Sequence, residues 1–101
     1  MPSMQDRHDF KIELTEEAAA EVISQIIGEI AEIKPDSDAV TVTKGEVETS
    51  FDASLRLKLK AWLPVPEKAE EIQRKICEAF KLNTGFELKN LTIEFTGYFE
   101  D

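Results

Sequence analysis

A single histidine, a single cysteine, one close pair of aspartates and the glutamates paired at helical spacing are the side chains here that could catalyse or hold a metal, and the glutamates read as solvated faces. His8 would serve as a proton shuttle near neutral pH, but a general base needs a held geometry. It lies instead in the polar opening segment MPSMQDRHDF. Cys77 attacks only as a thiolate, in an electropositive and partly exposed site with a base at hand. Arg74, Lys75 and Lys81 would lower its pKa a little, yet its place at the edge of an apolar helix stripe reads as a packing thiol. Asp36 and Asp38 evoke calcium, which needs several more oxygen ligands and a closing carboxylate. Pro-Asp-Ser-Asp is ordinary turn chemistry. Zinc finds no second thiol beside Cys77, and the chain has neither a glycine-rich phosphate loop nor a nucleophile triad. The expectation is a chain with no catalytic residue, no metal site and no cofactor, and therefore not an enzyme.

Two further features carry polar chemistry without reactivity. Gln73 falls inside an apolar helical stripe, between Ala69, Ile76, Cys77 and Phe80. A buried amide needs partners, so Gln73 either reaches water from the stripe edge or clamps a loop or strand end. The second feature is the alternation SLRLKLKAWL, Ser54 to Leu63. Leu55, Leu57, Leu59, Ala61 and Leu63 face one way; Arg56, Lys58, Lys60 and Trp62 face the other. Tyr98, on a later strand, is expected on the same polar side. Arg56, Lys58, Lys60, Trp62 and Tyr98 form the candidate interaction face, because Trp, Tyr and Arg are favoured interface anchors. A solvated strand with one amphipathic aromatic would look the same in sequence.

These residues need elements to position them. Residues 1–8 read as a flexible polar segment, and residues 9–101 as a single domain. Phe10, Ile12 and Leu14 alternate as a short strand. Thr15 is the N-cap of a helix from about Glu16 to Ile33, with Glu16 and Glu17 at its positive end. Its stripe of Val22, Ile23, Ile26, Ile27, Ile30 and Ile33 spans roughly 140° at about 100° per residue, enough to cover a sheet. Lys34-Pro35-Asp36 ends it. Val40 and Val42 form a second strand, Lys44-Gly45-Glu46 a turn, and 46–53 either a loop or the start of the third strand. The third strand ends at Pro64 and Pro66, which open a helix to about Leu82 with Ala69, Ile72, Ile76, Ala79 and Phe80 inward. Gly85 stops it, and Leu91, Ile93 and Phe95 make a last strand. The expected fold is α+β, a two-layer sandwich in β-α-β-β-α-β order, with two helices on one face of a four-stranded sheet.

Composition bounds the function classes. The chain has 101 residues, 42% apolar and 33% charged, with a formal charge of −9. That length builds one core. The acidity disfavours nucleic acid and direct docking on anionic lipid. One cysteine excludes an internal disulfide and suits a cytoplasmic setting. No apolar run nears the roughly 18 residues of a membrane span, and the N-terminus has no signal-peptide core.

The carboxyl-terminal half resembles the bacterial alkaline shock protein family of envelope stress response proteins. The likeness lies in Pro66 with Ala69, Ile72-Gln73, Ile76 and Ala79, then Thr84-Gly85-Phe86, then Leu91, Ile93 and Phe95, after a basic-and-apolar strand. Phe10-Lys11-Ile12 before an Ile-rich helix fits the family's opening, so the likeness touches about three quarters of the chain. Two departures stand out: Lys34 to Asp38 replaces a Gly-Val pair and glycine-rich loop, and the family's long tail has no counterpart. The resemblance implies a non-enzymatic cytoplasmic protein, in some members held at the membrane by a small integral membrane anchor, and no catalytic residue. The expected function is therefore a protein-interaction domain, recruited to the membrane by a protein partner and with self-association open. The alternatives are a small-ligand regulatory domain on a ferredoxin-like scaffold and a single-stranded RNA-binding sheet. The RNA-recognition consensus wants aromatics where this strand has Arg and Lys.

Overall fold

Thr15 caps the first helix: its hydroxyl accepts the amide of Ala18 at 3.0 Å. The computed structural model describes residues 12–100. Helix α1, Glu16–Glu29, buries Ala19, Ile23, Ile26 and Ile27 along one stripe. It stops at Glu29 rather than at Ile33. Ile30 is already extended, and Ile33 enters strand β1, Ile33–Lys44, opposite Leu59. Isoleucine loses little on leaving a helix for a sheet, and burial at the sheet decides the matter. Pro35 therefore lies within a strand and does not terminate a helix. It is tolerated because β1 is an edge strand, where a missing N–H costs no ladder bond.

Strand β2, Ser50–Lys60, is central, between β1 and β3, Glu87–Phe99. β1 and β2 form an antiparallel hairpin, with a register shift between Pro35 and Val40 and a left-handed Asp38 (φ 51°) inside it. The 46–53 span resolves into the hairpin loop and the start of β2. Gly45 donates to the Ser50 carbonyl at 2.9 Å, and the Ser50 hydroxyl donates to the Val47 carbonyl at 2.9 Å. Helix α2, Val65–Thr84, then crosses over, and β3 returns parallel to β2. Gly85 ends α2 in the left-handed region at φ 78°, its amide on the Lys81 carbonyl.

The expected four-stranded β-α-β-β-α-β sandwich is corrected by this order, which is α-β-β-α-β around three strands. Ile12 to Leu14 form no strand, and Ile12 is 84% exposed. Phe10 and residues 1–8 lie outside the described residues. A strand ahead of α1 needs a place in the sheet. β2 and β3 bond directly to each other from Ser50↔Glu87 to Lys60↔Phe99, so no slot opens between them. The outer side of β1 is broken by Pro35 and the bulge. Ile12 to Leu14 find no partner there.

One core joins the layers. Leu55, Leu57 and Leu59 from β2 meet Ile23 and Ile27 of α1 and Ile72, Ile76 and Phe80 of α2. Phe51 sits edge-on to Phe80, ring centres 6.0 Å apart. Both helices thus use one sheet face, and the β2 residues that alternate with the leucines are exposed on the other. At the helix side, Lys68 bridges Glu32 (2.8 Å) and Glu71 (3.1 Å), tying the α1–β1 turn to α2.

Candidate interaction face

Strand periodicity delivers the row as the sequence predicts it. Arg56, Lys58 and Lys60 are exposed, and Leu55, Leu57 and Leu59 are fully buried beneath them. The flanking strands decide its electrostatics. From β3, Glu94 pairs with Arg56, Oε1 to Nε 3.3 Å. From the bulge in β1, Asp36 accepts the Thr96 hydroxyl at 2.8 Å and the Ser37 amide at 2.9 Å. The Thr96 and Ser37 hydrogen bonds, with Lys58 and Arg56 nearby, hold the Asp36 carboxyl below its usual value. The row is therefore partly screened from within, which the alternation of β2 alone does not reveal.

Trp62 does not continue the strand. β2 ends at Lys60, and Trp62 stands in the following turn in the left-handed region, φ 73°, with 90% of its surface exposed. The Leu63 amide closes that turn on the Lys60 carbonyl at 3.4 Å. Trp62 is thus at the end of the basic row.

Tyr98 is not on this face. A register shift between Leu57 and Lys58 takes up Thr96 as an extra residue on β3. Beyond it, Tyr98 pairs with the buried Leu59, and Phe99 pairs with Lys60. Paired strand residues share a face, so Phe99 joins the basic side and Tyr98 turns to the helix side. Lys34, opposite Lys58 on β1, places its Nζ 4.8 Å from the Phe99 ring centre. Sequence reasoning missed Lys34, Asp36, Glu94 and Phe99. The bulges that bring them there leave no mark that periodicity can detect.

Two other candidates, Gln73 and Cys77, lie on α2 against β3. The Gln73 side-chain amide donates to the Leu91 carbonyl at 2.9 Å, a clamp from α2 onto edge strand β3. Cys77, one turn later, makes a long contact with the Leu88 carbonyl, Sγ to O 3.9 Å. Burial, with Glu78 and Glu87 nearby, pushes its thiol pKa up, opposite to the lowering expected from Arg74, Lys75 and Lys81. His8 lies outside the described residues. Among the described residues no cluster of three metal-binding side chains gathers, and no helix is long and apolar enough to cross a membrane. A cleft of about 320 Å³ opens beside Phe51 and Phe86, lined also by Lys44, Glu48 and Thr49. In comparisons with known proteins, no family model, curated protein or solved structure matches this chain.

Proposed function

We propose that this chain is a non-enzymatic protein-interaction domain of the envelope stress response type, which a protein partner brings to the membrane. The observation that carries the reading is the open sheet face. Arg56, Lys58 and Lys60 stand exposed on it with Trp62 at the end, while the whole core lies on the opposite side. An exposed tryptophan costs a folded domain solubility and returns nothing to the core, whereas at an interface it is a favoured anchor. Its backbone supports the same reading, since a bulky residue in the left-handed region is strained and such strain collects at working sites. The likeness of Pro66 to Phe95 to the alkaline shock protein family supplies the setting, and a small membrane anchor is the kind of partner that setting suggests.

The test is fractionation of cells expressing the wild type or the Trp62→Ala/Lys58→Glu double variant. Loss of membrane association in the variant, with unchanged thermal melting, is the expected outcome. Equal membrane association of both would sink the reading. The rival small-ligand regulatory domain loses its ferredoxin-like scaffold with the fourth strand. A thermal-shift screen against metabolites with a clear stabilising hit would revive it on this different fold.

A further inference from the structure

The basic row is not bare cationic surface. Among the described residues, two carboxylates approach it from the strands on either side: Glu94 from β3 onto Arg56, and Asp36 from the β1 bulge near Lys58. Each is held by the fold. Asp36 is fixed by Thr96 at 2.8 Å and Ser37 at 2.9 Å, and Glu94 by its register opposite Arg56. This face therefore already holds one carboxylate on a cation, Glu94 on Arg56, and keeps the Asp36 charge close to Lys58 and Arg56.

Its spacing narrows the ligand. Alternate residues of a strand repeat every 6.8 Å or so, and Arg56, Lys58 and Lys60 follow that repeat on one face. An extended peptide with acidic residues at alternate positions has the same repeat. Lys34, opposite Lys58 and stacked on Phe99, flanks the row, and past Lys60 the exposed Trp62 offers an apolar landing for a residue at the peptide's end. The chain's charge of −9 repels an acidic partner at long range. At physiological salt that repulsion fades within about 8 Å, so the local row governs contact.

Resting on the reading above, we propose that the partner presents an extended acidic segment to the Arg56–Lys58–Lys60 row, and that Asp36 and Glu94 are built-in competitors that weaken its binding. The two carboxylates set a threshold. Only a segment with enough aligned negative charge displaces them, and isolated acidic residues on other proteins do not.

Trp62, the single tryptophan, reports the test directly by its fluorescence. The full chain is titrated with a synthetic peptide of alternating Glu and Thr, and separately with a single-stranded oligonucleotide. Peptide binding is expected, weakening sharply between about 0.05 M and about 0.5 M NaCl. The Asp36→Asn/Glu94→Gln variant keeps a side-chain acceptor for Thr96 and one for Arg56, gives up the exposed Ser37 amide bond, and is expected to bind the peptide about threefold tighter or more. Lys58→Glu/Lys60→Glu is expected to abolish binding with its melting curve preserved. Unchanged affinity in Asp36→Asn/Glu94→Gln, or binding of the oligonucleotide in preference to the peptide, overturns the proposal. If Trp62→Ala/Lys58→Glu loses membrane association while Asp36→Asn/Glu94→Gln leaves peptide affinity unmoved, this inference falls and the interaction-domain reading survives. If neither readout moves, both fall.

Discussion

Two positions in the left-handed region show how differently one backbone geometry can be used. Gly85 takes φ 78° at the end of α2, where a residue without a Cβ is the cheap solution. The Asn-Thr-Gly sequence signals that stop on its own. Trp62 takes φ 73° with a large side chain that packs on little, and nothing in SLRLKLKAWL distinguishes it from a further strand residue. An L-residue held there costs roughly 1–2 kcal/mol. Trp62→Gly is therefore expected to leave the fold as stable or more stable, by up to about 1 kcal/mol in urea unfolding, because the glycine's extra unfolded-state entropy offsets part of the relief. Gly85→Ala should move the other way, losing about 1 kcal/mol. A marked loss of stability in Trp62→Gly would mean that the indole supports the fold, which would remove the strain-for-binding interpretation of the turn.

At the scale of elements, the parts with long and regular patterns were legible, and the parts set by pairing were not. The stripe of Ile72, Ile76 and Phe80 and the leucines of β2 are all fully buried, as period 3.6 and period 2 predict. Truncating Ile76 to Ala should cost about 2–5 kcal/mol in chemical denaturation, since its neighbours come from both layers. The misreadings share one cause. Ile33 fits a helical stripe and a strand equally well, and its partner Leu59 lies at the far end of the next strand, beyond any local window. Pro35 looks like a terminator until β1 is known to be an edge. Tyr98 changes face because Thr96 is an extra residue, which no alternation count detects. The hairpin loop is more tightly specified than Lys44-Gly45-Glu46 implies. A Cβ on Gly45 would collide with the Ser50 hydroxyl and stand 3.2 Å from the Ser50 carbonyl carbon. Gly45→Ala should lower the denaturation midpoint, and Gly45→Ala/Ser50→Ala should recover only part of it, because the backbone contact remains.

For the whole molecule, charge links stability to pH at both extremes. Hydrogen bonds and ion pairing with Lys68 hold Glu71 below its usual 4.5, and Thr96 and Ser37 do the same for Asp36 relative to 3.8. Carboxyls lowered by folding stabilise fully above those ordinary values, and the contribution is lost as pH falls through the depressed ones. Lys68 is raised above 10.5 by hydrogen bonds to Glu32 and Glu71, so its contribution holds below that value and disappears as pH rises through the raised one. Urea midpoints should be flat from about pH 5 to about pH 9 and fall on either side. Lys68→Met should flatten the alkaline limb, and an unchanged limb would show that the Glu32–Lys68–Glu71 bridge contributes nothing there. The two sides of the sheet have a consequence of another kind. Pro35 offers no N–H along β1 and Asp38 kinks it, while Gln73 occupies the Leu91 carbonyl of β3 and two irregularities bend that strand. Neither rim is a template on which further strands can stack. Crowding such a molecule on a membrane, as its proposed role requires, raises its local concentration while these interruptions lower its tendency to stack edge to edge.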